Sequence, residues 1–271
     1  LRHLGQEIGL RKASSLQPLS EDAAVQEVQP LVQALNQLFK RVEIQMTSER
    51  QFTSDAAHEL RTPVAAIRMQ AQVAMGASEP IAQSQAMQAL LQGCDRATRL
   101  ISQLLELSRL DAAEVHPDAV AAEPVDVIAI TRQQLAESGH VWLTKNQTLN
   151  FEAPEMLKLK VKPEWLAIVV RNLIDNASRY SPEGSSLQVS WQAGSRPTLT
   201  VEDSGPGMTQ IDRDRLGDRF FRVLGNNASG CGLGWYSVRR IAQLSGITVQ
   251  VGISESLGGL TVTLIWPNDS V

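Results

Sequence analysis

The chain lacks any run of apolar residues approaching the roughly 20 that a membrane-spanning helix needs. The longest, Trp165 to Val170, is far too short. Cysteine is scarce: Cys94 and Cys231 lie in different regions without metal-ligand spacing. A disulfide framework is thereby excluded, and a reduced cytosolic setting fits. There is no long basic stripe. The 25 Lys and Arg are intermixed with 29 Asp and Glu for a net charge of −4, which makes nucleic acid a poor partner. Aromatics make up only 4% of residues, and before Asp111 they are sparse, as are β-branched pairs. The chain shows no signal peptide over Leu1–Leu10 and no initiating Met, so a fragment of a longer protein is expected.

What is present suffices for two compact domains, or one domain on a helical stalk: 271 residues, 43% of them hydrophobic. Up to Asp111, the helix formers Gln, Ala, Leu and Arg dominate. Leu60, Val64, Ile67, Ala71 and Ala74 repeat as a heptad seam, and Met87, Leu91, Cys94, Ala97, Ile101, Leu104 and Ser108 form a second. Gly76 to Pro80 separates them as a turn. A lone helical hairpin cannot enclose its seam, whereas two copies forming a four-helix bundle can, so a homodimer is expected. Upstream, Leu1–Arg11 and Gln26–Leu38 read as short amphipathic pieces around a polar stretch, Ser20–Val25. They fit either a coiled-coil lead-in or, by a narrow margin the better reading, a signal-transmitting helix–linker–helix.

From Asp111 to Pro124 the composition is that of a linker. Beyond it, strand patterns (Thr148–Glu152, Leu157–Val161, Leu187–Trp191, Thr198–Glu202, Thr248–Gly252, Leu260–Trp266) mix with helical ones (Val127–Glu137, Glu164–Arg179, Leu233–Ser245). Strands come in neighbouring pairs, which predicts a sheet with helices on one face. The fold class expected is α + α/β: a dimeric helical hairpin followed by an α/β sandwich. The boundaries expected are 1–45 for the signalling helices, 46–112 for the hairpin, 113–124 for the linker and 125–271 for the α/β domain.

The first candidate for chemistry is His58, within Phe52-Thr-Ser-Asp-Ala-Ala-His-Glu-Leu-Arg-Thr-Pro63. It stands two residues from seam residue Leu60 and so points away from the seam, toward solvent. A neutral, oriented imidazole is a competent nucleophile toward a phosphoryl group. Glu59 is placed to accept the other ring N–H. Pro63 has no N–H for the Glu59 carbonyl, which predicts a kink. Thr62, at i+4, shares the face of His58 and offers a hydroxyl to hold a water. An isolated exposed histidine is ordinarily just a solvated residue, but the coincidence of Glu, hydroxyl and kink favours function here. His3, His116 and His140 have no such company.

Four further elements point to a nucleotide. Asn172 and Asn176 sit at i and i+4 on one helix and could turn both amide oxygens to one point, as Mg²⁺ on phosphates requires. Arg179 could meet phosphate charge and Tyr180 the base. Asp203-Ser-Gly205-Pro-Gly207 follows a strand and offers a carboxylate to an exocyclic amino group, with glycines permitting close approach. Gly230-Cys-Gly232-Leu233-Gly234 opens a helix and presents N–H groups to phosphate. The polar stretch Asp212–Ser229 reads as a lid anchored by Phe220 and Phe221, with Arg222 toward phosphate or bundle. Each element alone is a common turn, cap or surface pattern; their joint order is not.

These motifs resemble those of the sensor histidine kinases. His58-Glu-Leu-Arg-Thr-Pro resembles the H box, Asn172-Leu-Ile-Asp-Asn176-Ala the N box, Asp203-Ser-Gly-Pro-Gly207 and Gly230-Cys-Gly-Leu-Gly234 the two glycine boxes, and Phe220-Phe-Arg the F box. The start resembles part of a HAMP module, and the wording around Gln29–Phe39 and Phe52–Leu60 is similar to QseC-like members. The resemblance implies a Bergerat-type (GHKL) ATP-binding fold and a dimeric bundle. It implies phosphorylation of His58 from ATP with Mg²⁺, then transfer to an aspartate of a response regulator receiver domain. It maps Asn176 onto the Mg²⁺ ligand and Asp203 onto the adenine reader. It also implies upstream transmembrane segments that would anchor the whole protein in a bacterial inner membrane, this part being cytoplasmic. Trp235 and Tyr236 depart from the pattern, which has small or aliphatic residues there. Two other classes compete: an ATPase of the same fold driving a clamp, which needs no His58 in a helical hairpin, and a non-catalytic scaffold, which would show damaged acceptor or Mg²⁺ positions.

Overall fold

The computed structural model describes residues 17–19, 29–113, 123–223 and 232–268. The expected linker core at 114–122, the outer part of the lid, Gly230 and most of residues 1–28 lie outside the described residues. These residues fall into two compact units, one up to Ala65 and the other from Ala66 on. That division does not follow the boundaries read from composition, since it groups the second hairpin helix with the α/β lobe.

Helix α1 (Gln29–Gly76) runs for 48 residues without a break. The separate piece expected at Gln26–Leu38 is thus part of the helix that carries His58, and the boundary expected at 45/46 falls inside it. Good helix formers fill the interval, and Pro30 sits in its first turn, where a missing N–H costs nothing. At its start Asn36 brackets the Leu19 backbone, accepting from its N–H at 2.7 Å and donating to its carbonyl at 3.1 Å. Leu19 and Val32 are buried there. The helix continues through Pro63.

Helix α2 (Pro80–Ala113) follows after three residues. It buries Ala86, Gly93, Leu100 and Leu107, a strict seven-residue repeat. Met87, Leu91 and Ile101 of the expected seam lie on a neighbouring stripe and are 53%, 63% and 47% exposed on the single chain. Two adjacent apolar stripes satisfy the heptad rule, and side-chain size decides between them. At Gly93 a Cβ would meet Ile67 Cγ1 at 2.8 Å, so the glycine is the hole that receives Ile67. Ala113 is helical, so Asp111 belongs to α2 and not to the linker.

The lobe opens with β1 (Pro124–Asp126), antiparallel to β3 (Lys158–Lys160). Asp126 then caps α3 (Val127–Leu143), accepting from Ile128 N at 3.1 Å and from Leu157 N at 3.3 Å. One carboxylate thereby fixes a helix start and a neighbouring strand. The strands β2 (Thr148–Glu152), β4 (Ser186–Gln192), β5 (Thr198–Asp203), β6 (Thr248–Ile253) and β7 (Leu260–Ile265) form a mixed sheet in the order β2-β4-β5-β7-β6. Only β2–β4 is parallel. Helices α4 (Pro163–Tyr180), the short α5 (Gln210–Asp214) and α6 (Gly234–Leu244) complete the lobe. Strand β1 and helix α5 were not expected from the sequence, being too short to show a period.

Alternation in β4 and β5 buries Leu187, Val189, Trp191, Leu199 and Val201 on one face. Helix α4 packs on β5, with α3 and α6 on either side of it, and buries Leu166, Val169, Val170, Leu173 and Ile174. Each such side chain contributes about 1.5–3 kcal/mol. This is the helix-covered sheet of a GHKL α/β sandwich. Polar ties cross the core as well: Trp191 donates Nε1–H to Thr131 Oγ1 at 2.9 Å.

Candidate functional site

His58 is exposed on α1, and Glu59 beside it is half-buried. Successive helix residues diverge by about 100°, and among the described residues no hydrogen bond joins the two side chains. Thr62 is exposed one turn on from His58.

The α/β lobe holds a cavity at the α4–β5–β7 junction, whose lining includes Asn176, Tyr180, Asp203, Gly207 and Trp235. Leu173 and Ala177 of α4, Val201 of β5, and Leu260 and Val262 of β7 give it apolar walls, with Pro206, Met208 and Val223 closing its rim. Asp203, at the end of β5, is buried. Its Oδ1 accepts from Gly205 N at 2.9 Å and Leu260 N at 3.2 Å. Burial pushes its carboxyl up from the ordinary carboxylate range, against the two N–H groups that hold it down. No hydrogen bond is recorded for Oδ2 among the described residues, so that oxygen can serve a ligand donor.

Gly259 is the residue that sequence reasoning missed. A Cβ there would lie 2.3 Å from both the carbonyl oxygen and Oδ1 of Asp203. The signal was available as the Gly258–Gly259 doublet before a strand. The apolar walls were also missed, because residues from α4, β5 and β7 meet there and no local motif joins them.

The two asparagines separate. Asn176 lines the cavity with its Nδ2 buried and without a partner, and an orphaned amide there is the kind of group a bound ligand satisfies. Asn172 is buried elsewhere: its Nδ2 donates to Ile168 O at 2.9 Å, and its Oδ1 lies 2.6 Å from where a Gly234 Cβ would be. The expectation that both amides face one point is corrected accordingly. Asn172 seats the start of α6 on α4. Of the two, Asn176 is the one that lines the cavity.

Tyr180 and Gly207 line the cavity, while Arg179 and Gly205 do not. Gly205 acts through its N–H on Asp203. Phe221 and Arg222 are also absent from the lining, and Val223 stands at the rim instead. Phe221 lies under the Arg215 guanidinium at 4.3 Å. Phe220 adopts φ 61°, rare for an aromatic residue. Its neighbour Gly232, at φ 69°, has its missing Cβ position 2.6 Å from Phe220 C and Phe221 O. The two lid roots are thus interlocked through backbone that only glycine permits. Leu233 is fully buried beside them.

Behind this wall, Asp111 of α2 splits its carboxylate between two arginines. Oδ2 takes Arg219 Nη2 at 3.1 Å and Oδ1 takes Arg240 Nε at 3.2 Å. Arg219 also donates to Tyr236 Oη at 2.6 Å and lies over its ring. Glu106 of α2 pairs with Arg171 of α4 at 2.9 Å. The residue expected to begin a linker is therefore a junction of α2, the lid root and α6.

A lobe with this sheet, a buried aspartate and an asparagine on one cavity and a glycine-opened helix, in one chain with an exposed histidine on a helical hairpin, defines the class of sensor histidine kinases, and the chain belongs to it. Residues 161–270 match the family of histidine kinase-, DNA gyrase B- and HSP90-like ATPases, residues 48–113 the His Kinase A (phospho-acceptor) domain, and residues 1–43 the HAMP domain of PhoQ-like sensor proteins. Within the class it is a QseC-like member: it is 40% identical to the sensor protein QseC of Salmonella typhimurium, over 98% of this chain and 58% of that one. It is 31% identical to the sensor protein kinase PmrB of Pseudomonas aeruginosa, over 98% and 56%. The chain thus spans a little over half the length of these curated relatives. The histidine kinase AdeS of Acinetobacter baumannii shares the fold at a TM-score of 0.63 and 23% identity, covering 79% of this chain and 98% of that one. No helix among the described residues is long and apolar enough to cross a membrane.

Proposed function

We propose that this chain transfers the γ-phosphoryl group of ATP to a ring nitrogen of His58. The phosphoryl group then passes to an aspartate of a response regulator receiver domain. The observation that carries the reading is the cavity in which buried Asp203 and unpartnered Asn176 face one space, in the same chain as an exposed imidazole at His58.

In the transfer, the bond from the γ-phosphorus to the bridging oxygen breaks and a phosphorus–nitrogen bond forms. ADP leaves with the former bonding pair, and the second ring nitrogen gives up its proton to a base, a role Glu59 takes once rotation of its side chain brings the carboxylate to the ring. Asp203 accepts the amino N–H of the base, and Tyr180 flanks the ring. Asn176 would hold Mg²⁺ through its amide oxygen, and the ion would supply charge compensation, a main requirement of phosphoryl transfer. Gly232 and Gly234 open the start of α6 to phosphate, and Arg179 and Arg222 add positive charge as the lobe approaches its acceptor. Thr62 positions water for the reverse reaction on the regulator.

The exposed stripe of Met87, Leu91, Ile101 and Leu105 supports burial against a second copy of this chain, as a bundle requires. Anchoring in a bacterial inner membrane by segments upstream of Leu1 completes the proposal.

Incubation with γ-labelled ATP and magnesium tests it. A protein label stable to base, lost in acid and absent in His58→Gln is expected. Free phosphate without labelled protein would instead support a clamp-type ATPase, and no nucleotide chemistry at all a scaffold.

A further inference from the structure

We propose that Trp235 sets the preference of this site for the bicyclic base of ATP over cytosine. The proposal rests on the nucleotide reading above and names a determinant within that site.

The argument begins with what Asp203 can and cannot distinguish. A carboxylate accepts an N–H. It repels the 6-oxo edge of guanine, but adenine and cytosine both present an exocyclic amino group to it. The hydrogen bond that reads the base therefore leaves ATP and CTP alike. Ring area must separate them.

Trp235 is the second residue of α6, half-buried and lining the same cavity as Asp203 and Tyr180. Its delivery there has a structural cause. Gly234 has no side chain, and a Cβ would meet Asn172 Oδ1 at 2.6 Å. The start of α6 therefore lies close against α4 and brings residue 235 to the cavity wall. One turn further on, Val238 is fully buried and anchors the same side of α6. The next residue is held separately, with the Tyr236 hydroxyl accepting from Arg219 at 2.6 Å. The backbone that carries the indole is thereby fixed from both sides before any ligand arrives. A preorganised indole gains contact in proportion to the ring it meets, and a purine offers two fused rings where a pyrimidine offers one.

The test measures ATP and CTP binding, each with magnesium, to the full chain as wild type, Trp235→Leu and Trp235→Phe, alongside tryptophan fluorescence. Trp235→Leu is expected to weaken ATP about tenfold and CTP by less than about twofold, the scale of one lost base–aromatic stack. Trp235→Phe should recover most of the ATP affinity. The fluorescence change that ATP causes in the wild type should vanish in both variants, although Trp142, Trp165, Trp191 and Trp266 remain. Equal losses for ATP and CTP, or a fluorescence response that survives the substitution, would overturn the proposal while leaving the nucleotide reading intact. A wild type that binds neither nucleotide would remove both. Should Trp235→Leu not fold, the Phe variant alone decides through the fluorescence response.

Discussion

Asp203 carries its charge at a cost to the fold. Its carboxyl is buried, and burial raises its pKa, so the ionised form is less stable folded than unfolded at neutral pH. Asp203→Asn keeps an oxygen for the Gly205 and Leu260 N–H groups and removes the buried charge. The melting temperature of the nucleotide-free variant is expected to match or exceed wild type by a few degrees, the shift of about 1 kcal/mol in a domain of this size. The stabilisation that saturating MgATP gives the wild type, on the order of 3 kcal/mol at a hundredfold excess over Kd, should disappear. Differential scanning fluorimetry with and without nucleotide reads both; a large loss of stability in the variant would contradict the assignment. The identity of Asp203 was readable from Asp-x-Gly-x-Gly. Its dependence on Gly259 was not, because the contact spans 56 positions and belongs to tertiary structure.

At the scale of elements, α4 is held by its end. Lys145 donates from Nζ to the carbonyls of Ser178, Arg179 and Ser181 at 2.9, 2.9 and 3.1 Å. Gln147 Nε2 adds the Ser178, Ser181 and Pro182 carbonyls. Together they satisfy the orphan acceptors of the helix terminus that bears Tyr180, and a cation suits that end of the dipole. Lys145→Met leaves carbonyls half-satisfied and should cost about 1–3 kcal/mol in chemical denaturation, with weaker ATP binding as Tyr180 loosens. Unchanged stability would mean that water replaces the ammonium. Long periodic elements such as α4 and the five sheet strands were legible to within one or two residues. The stripe of α2 that packs within the chain was not, because two neighbouring stripes meet the heptad rule and only the fit of Ile67 into Gly93 selects it. The boundary expected between residues 45 and 46 lies within a continuous helix, because polar helix formers carry α1 across it.

Across the molecule, among the described residues, burial raises three carboxylates: Glu106, Asp175 and Asp203. The sign follows from proton counting. Above the ordinary values of 3.8 for aspartate and 4.5 for glutamate, the unfolded chain has released protons that the folded chain still holds. In the window between those values and the raised ones, stability therefore falls as pH rises. Denaturation midpoints of the nucleotide-free chain should decline across this window. The decline should flatten in the Asp175→Asn, Asp203→Asn double variant, and an equal slope in both proteins would reject these groups as its source. The burial was not visible in sequence: Glu106 and Asp175 look like ordinary surface acids there, and the motif that marks Asp203 says nothing of its desolvation.

The junction at Asp111 bears on how the protein can be dissected. A lobe produced from Pro124 onward would lose the carboxylate shared by Arg219 and Arg240. Two guanidiniums would then sit on newly bared surface, and the isolated piece would acquire a basic spot foreign to the intact chain. Adhesion of such a fragment to polyanions, or a lid root that behaves differently, would be a product of the cut. Assays of lid behaviour belong on pieces that retain the end of α2.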